Sequence, residues 1–205
     1  YLSQDVDVCL LQVAYDRDGV LRIGPNVDFA AAVLASAKVV IAELNTALRA
    51  PLGCPRIELE QIDYLFECDR PLTPIAEPRV DVAALEIGKL VAELINDGDC
   101  LQTGIGAIPA AILNELGSKN DLGLHGGLLD VGGLRLIEAG NVNGSCKAID
   151  HGLHITGMAL GDKALFDWLA DQSAVIFRGA DHTHEVSAIA QLENFVSINS
   201  AVEVD

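Results

Sequence analysis

Short apolar runs alternate along the chain with segments whose apolar residues recur at helical spacing, and this alternation carries the fold reading. Val6 to Val13 (VDVCLLQV) is almost continuously apolar, the pattern of a strand covered on both faces, and Asp16 to Gly19 (DRDG) is a turn. Asp28 to Ala42 opens with a capping-type aspartate and an alanine-rich amphipathic stretch, which predicts a helix. From Lys38 to Glu43 the residues become β-branched, so a strand follows. Strand, helix and strand in immediate succession are the signature of a parallel crossover.

Pro51, Pro55, Pro71, Pro74 and Pro78 then punctuate the chain and leave room for a strand at Ile62–Cys68. Asp69–Arg79 resists helix and central strand alike and reads as a linker between two units. Beyond it, Val82, Leu85, Leu90, Val91, Leu94 and Ile95 follow a 3.6-residue repeat, so Val80–Ile95 is a helix, with Asp81 near its start and Asn96-Asp97-Gly98 ending it. The pattern continues with strand Asp99–Thr103, helix Pro109–Leu116, strand Leu122–His125 and helix Leu134–Ala139. It closes with strand Ile155–Leu160, helix Asp162–Ala170 and strands Ala174–Phe177 and Phe195–Ile198. The fold class is therefore α/β, with mainly parallel sheets flanked by helices and two related α/β units, residues 1–75 and 76–205.

Composition supports a packed core: 50% of the 205 residues are hydrophobic. A net charge of −17 repels nucleic acid and anionic membranes, so neither is expected as a partner. No run approaches the roughly 20 apolar residues that span a bilayer, and the start lacks a secretion signal, which makes the cytoplasm the expected location. The chain begins at Tyr1 rather than at Met, as a piece of a longer protein would. Cys9, Cys54, Cys68, Cys100 and Cys146 form no C-x-x-C pair and read as reduced thiols rather than a zinc site or disulfide framework.

Candidate chemistry gathers between Leu101 and Gly133. Gly104-Ile105-Gly106 follows a strand and precedes a helix marked by Pro109, an arrangement that brings backbone N–H groups and a helix N-terminus to a ligand. It is neither a Walker A loop nor a dinucleotide fingerprint, and a tight structural turn is its alternative reading. His125-Gly126-Gly127 follows the next strand, where its backbone would face the first loop across one sheet edge. His125 is read either as a structural residue or as a catalytic one. The pairs His151-x-x-His154 and His182-x-His184 lack a recognised metal-ligand spacing, and no metal site is expected from them. Among many surface carboxylates, Asp130, Glu138 and Glu203 stand near these loops or just past a strand. The G-x-S-x-G elbow of serine hydrolases is absent.

Taken together, the strings Gly104-Ile105-Gly106-Ala107-Ile108-Pro109, Asp121-Leu122-Gly123-Leu124-His125, Leu136-Ile137-Glu138-Ala139-Gly140 and Val196 to Asp205 (VSINSAVEVD) resemble the acetyl-CoA hydrolase/transferase family, which includes acetate and 4-hydroxybutyrate CoA-transferases. Val6-Asp7-Val8 to Gln12-Val13, Val39 to Asn45 and Ile62-Asp63-Tyr64 resemble the end of that family's first domain. The resemblance implies that residues 1–75 are the C-terminal part of a first α/β domain. Residues 76–205 would then be a second domain, incomplete at its C-terminal end, and the chain an internal fragment. It implies CoA or acyl-CoA as substrate, a small carboxylic acid as co-substrate, no permanently bound cofactor and a homo-oligomer. Gly104, Ile105, Gly106, Ala107, Gly126 and Gly127 would line the CoA thioester site.

In that chemistry a glutamate two residues after the histidine of the second loop attacks the acyl-CoA and carries CoA as a glutamyl thioester. The matching position here is Gly127, which has no carboxylate. Asp130 is a substitute candidate that requires a shifted backbone. The resemblance implies a CoA-transferase-type enzyme that moves CoA between an acyl-CoA such as acetyl-CoA and a carboxylic acid or hydrolyses the thioester; with Gly127 in place, hydrolysis or an unassigned CoA-dependent reaction is favoured over ping-pong transfer. A CoA-binding homologue without activity is the alternative, and a sugar-phosphate isomerase a weaker one because no Asp/Glu–Lys constellation accompanies the loops.

Overall fold

The structure, a computed structural model, describes residues 5–199. In chain order its elements are β1 (Val6–Tyr15), β2 (Leu21–Ile23), α1 (Ala30–Ser36), β3 (Ala37–Asn45), β4 (Tyr64–Cys68), α2 (Val82–Leu94), β5 (Cys100–Thr103) and α3 (Ala107–Glu115). There follow β6 (Gly123–Leu124), β7 (Leu128–Leu129), α4 (Val131–Glu138), β8 (His154–Thr156), β9 (Met158–Ala159), α5 (Lys163–Leu169), β10 (Val175–Phe177), α6 (Ala180–Thr183), α7 (Val186–Ile189) and β11 (Phe195–Ile198). The α/β class with mostly parallel sheets is as the sequence pattern predicts.

The first sheet has the order β2-β1-β3-β4, with β1, β3 and β4 parallel and β2 antiparallel to β1. The second region is built on the parallel order β11-β5-β6. A bridge from His125 to Ile155 extends it to β8 and, through parallel pairing, to β10. A parallel pair, β7 with β9, lies alongside. The apolar cluster contains Val13, Ile23 and Leu44 together with Leu101, Ile112, Leu129 and Phe177, so it crosses the 75/76 division. Phe177 N donates to Gly53 O at 3.0 Å, and a Cβ on Gly53 would lie 1.8 Å from Val175 O.

Several expectations are corrected. Along β1, Val8 and Leu10 are 49% and 76% exposed, so the apolar run is not covered on both faces in this chain. Asp28 does not cap α1, whose N-cap is Phe29. The apolar repeat of α2 located the helix but not its buried face. Ala84, Gly88 and Ala92 are buried, while Val82, Leu90 and Leu94 point outward. The reason is close helix approach: a Cβ on Gly88 would lie 2.9 Å from the Ala111 carbonyl carbon of α3, room that only small residues leave.

Helix α3 begins at Ala107 rather than Pro109, because Gly106, at φ +129°, acts as its N-cap, and proline at the third position removes an N–H that has no intrahelical partner. Helix α4 begins at Val131 rather than Leu134. Gly132 and Gly133 hid its first turn, which Asp130 caps by accepting from Gly133 N at 2.9 Å. The strand expected over Ile155–Leu160 is broken at Gly157 into β8 and β9, which pair with different partners. Residue Glu203 lies outside the described residues.

Candidate thioester site at the edge of the parallel sheet

Because β5 and β6 are adjacent and parallel, the loops that follow them emerge at one sheet edge. The first loop holds Gly104, Ile105 and Gly106. Ile105 is exposed, and a Cβ on either glycine would meet nothing within 4 Å, so the backbone here faces open space. The N-terminal turn of α3, starting at Ala107, follows directly. The second loop is tied down on the sheet side, where His125 N donates to Leu101 O and Gly126 N to Ile155 O. A Cβ on Gly126 would press on Gln102 Cγ at 3.0 Å, so the second loop passes tightly over the Gln102 side chain of β5.

Gly127 is the informative position. A Cβ there would lie 2.7 Å from His184 Cε1 and 3.3 Å from Nε2, so an imidazole stands where a side chain at 127 would begin. His184 is exposed and follows α6, and its Nδ1 is 2.8 Å from Thr183 Oγ1, which also donates to Gly179 O. The Thr183 hydroxyl has one proton to give: when it goes to the Gly179 carbonyl, Nδ1 donates to Oγ1 and Nε2 keeps its lone pair toward the loop. The Asp28 carboxylate belongs to the same neighbourhood. A Cβ on Gly157 would strike Asp28 Oδ1 at 2.2 Å and approach Gly127 O at 3.2 Å. Burial pushes the Asp28 carboxyl above its usual range, and the charge of His184 pulls it back.

Behind the loop, His125 is fully buried. Its Nε2 donates to His182 O at 3.2 Å, and burial lowers its pKa. Lys147, buried and lowered in pKa by that burial, donates to Leu124 O and Leu153 O and so clamps the end of β6. Asp130 lines a cleft of about 180 Å³ with Ile75, Ile105, Gly106, Arg135 and Leu160. Its carboxyl is raised by burial, against the backbone N–H groups of Gly133 and Gly132 that it accepts from as a cap. Glu138 is exposed at the far end of α4.

The histidine pairs separate. His151 is exposed, whereas His154 is buried in β8 and lowered to about 4 by burial, with Lys147 adding to the effect. His182 and His184 diverge, the first toward Asp150 and the second toward Gly127. Sequence reasoning missed Asp28, read only as a cap, and Asp150, for which no signal stood out. It saw His184 only as half of a weak metal motif. The juxtaposition of Gly127 with His184 depends on the turn at α6 and has no signature in local spacing.

Comparisons with known proteins agree on kinship. Residues 161–205 match the acetyl-CoA hydrolase/transferase C-terminal domain. The chain is 36% identical over 201 residues to the 4-hydroxybutyrate coenzyme A transferase of Clostridium kluyveri, covering 98% of this chain and 47% of that protein. It is 34% identical over 209 residues to the butyryl-CoA:acetate CoA-transferase of Anaerostipes caccae, covering 98% and 46%. Among solved structures, the 4-hydroxybutyrate CoA-transferase of Porphyromonas gingivalis superposes with a TM-score of 0.86 at 30% identity, over 98% of this chain and 51% of that one. RipA from Yersinia pestis gives 0.87 at 30% identity, over 94% and 45%. The chain spans about half the length of the curated relatives it matches. No helix among the described residues is long and apolar enough to cross a membrane.

Proposed function

Starting from a chain that is related in sequence and fold to the acetyl-CoA hydrolase/transferases, we propose that it serves an enzyme acting on acyl-CoA thioesters, with hydrolysis as its reaction. The observation that carries this reading is the His184 imidazole packed against Gly127, in the space where the resemblance places an attacking glutamate. Glycine cannot form a glutamyl thioester, so CoA transfer by that route has no carrier on this loop. An imidazole is the side chain best suited to take and return a proton near neutral pH.

In the proposed reaction the thioester carbonyl lies between Gly104–Ala107 and Gly126–Gly127, with the acyl group toward the cleft at Asp130. At about 180 Å³ that cleft is smaller than the roughly 300–1,000 Å³ of drug-sized sites and suits a short acyl group such as acetyl. His184 Nε2 takes a proton from a water molecule, whose oxygen attacks the carbonyl carbon. The oxyanion is held by N–H groups of the first loop and of the first turn of α3, which have no intrahelical partners. As the tetrahedral intermediate collapses, the carbon–sulfur bond breaks and the His184 imidazolium returns its proton to the CoA thiolate. The products are a carboxylic acid and free CoA. Asp28 stabilises the transient imidazolium. No permanent cofactor enters these steps, and Asp130 acts as a helix cap rather than a nucleophile.

The test is to incubate the full-length protein with acetyl-CoA, follow thiol release and search for covalent adducts by mass spectrometry. Release without an adduct is expected. A CoA adduct on a carboxylate overturns hydrolysis in favour of transfer. Gly127 equally motivates a second reading, a CoA-binding homologue without activity, which calorimetric CoA binding with no thiol release would establish.

A further inference from the structure

His125, Asp150 and His182 come together behind the second loop from three distant stretches of chain, and their geometry is poorly explained by hydrogen bonding alone. His125 Nε2 faces the carbonyl oxygen of His182 at 3.2 Å, and a carbonyl can only accept, so that nitrogen carries the proton. Nδ1 is then a bare lone pair. It is completely buried, has no hydrogen-bond partner, and points at Asp150 Oδ2 from 3.9 Å. Two acceptors therefore face one another in the interior with no proton between them, a costly arrangement unless a cation lies between them. Asp150 Oδ2 is also 2.8 Å from His182 Nε2, and the three ligand atoms all lie within 4.8 Å of one another. Asp150 adopts φ +50°, an uncommon conformation for a residue other than glycine, which brings its carboxylate to this point.

We propose that His125 Nδ1, His182 Nε2 and Asp150 Oδ2 form a binding site for a divalent transition-metal cation of the zinc type. Two imidazole nitrogens and a carboxylate oxygen are the donor set of three-ligand zinc centres, with the fourth position open to water. Ligand atoms around a tetrahedral ion at about 2.1 Å lie about 3.4 Å apart. The 2.8 Å and 3.9 Å separations bracket that value, so modest side-chain adjustment suffices. The second ring nitrogen of His125 already donates to a backbone carbonyl, the partner that orients a metal-bound histidine. Binding requires a bare lone pair on His182 Nε2, so the proton that this nitrogen shares with Asp150 moves to Nδ1 of the same ring. Lys147 is the opposing influence: its buried ammonium acts on His125 and weakens the affinity for any cation.

The ion fastens the turn that carries His184 to the base of the second loop, since His182 is two residues from His184. The site is independent of the thioester chemistry: its ligands are not those proposed to touch substrate, and metal binding is measured without turnover.

Full-length protein freed of metal is titrated with Co2+ as an optical probe and with Zn2+ in competition. One equivalent bound with the visible spectrum of a four- or five-coordinate cobalt ion, displaced by Zn2+, is expected. His182→Gln, at a partly exposed position that leaves the core intact, and Asp150→Asn should each weaken binding by roughly 100-fold, with circular dichroism unchanged. His184→Ala should leave it within a few-fold. Failure to bind Co2+ or Zn2+ below millimolar concentration overturns the assignment. So does binding that survives His182→Gln and Asp150→Asn, or that is lost with His184→Ala, which would move the ion to the exposed His-x-His pair.

Discussion

Replacing Gly127 by alanine is the most incisive perturbation of the proposed chemistry, because it adds a methyl group directly against the His184 ring. Gly127 does not have a positive φ, so alanine costs no backbone strain. The new Cβ would stand 2.7 Å from His184 Cε1, and ordinary contact begins at 3.4 Å, so the ring must retreat by about 0.7 Å. His184 is exposed and can swing outward, so the stability change should remain within about 1 kcal/mol. A displaced base is far more damaging to the reaction: a misplacement of about 1 Å costs on the order of 10²-fold in rate, equivalent to about 2.7 kcal/mol of barrier. With acetyl-CoA as substrate and a thiol-reactive chromophore as reporter, Gly127→Ala should lower kcat on the order of 10²-fold, with KM changed much less. His184→Ala should lose roughly 10²- to 10⁴-fold. Since both act through one ring, the double variant should be no slower than His184→Ala alone. If Gly127→Ala retains kcat within two-fold of the parent, or if the two losses multiply, the His184 base is refuted.

Three further outcomes are expected. Gly127→Glu combined with His184→Ala restores a carboxylate and clears its space, and should yield a glutamyl-CoA adduct by mass spectrometry after incubation with acyl-CoA; a clean spectrum would sink the positional match to the family nucleophile. His154, lowered to about 4 by burial, is neutral in the folded state, while its unfolded counterpart titrates near 6.5. Its contribution is therefore intact above pH 6.5 and is lost progressively as the pH falls to 4, by about 3 kcal/mol in all; His154→Gln should flatten the stability profile across that window in denaturant titrations, and an unchanged slope would count against the burial. Gly53→Ala would place a Cβ 1.8 Å from Val175 O, forcing the 51–54 loop off β10; a loss of about 3 kcal/mol or more is expected, and a melting temperature within a few degrees of the parent would contradict the close approach.

Much of the architecture was legible in local pattern. The β-branched change at Lys38, the proline-rich stretch at 69–79 and the glycine-ended helices each follow from backbone preferences that act over a few residues. The misreadings share a cause, which is that packing decided between local options. Ala84, Gly88 and Ala92 line the buried face of α2 because α3 approaches too closely for leucine. Gly132-Gly133 is helical because the Asp130 cap and core contacts outweigh glycine's low propensity.

By itself the sequence determined an α/β chain with parallel strands, the positions of two glycine loops following adjacent strands, and kinship with the acetyl-CoA hydrolase/transferases. Periodicity, turn chemistry and ordered motifs are properties of neighbouring residues, so they survive in a linear reading. Tertiary structure alone decided what surrounds those loops. It set His184 against Gly127, placed Asp28 beside Gly157 instead of at the helix cap, and joined His125 to Asp150 and His182 across 25 and 57 positions of chain. Such contacts are fixed by how the α6 turn and the strand ends close on one another, a long-range packing outcome with no periodic trace in the sequence.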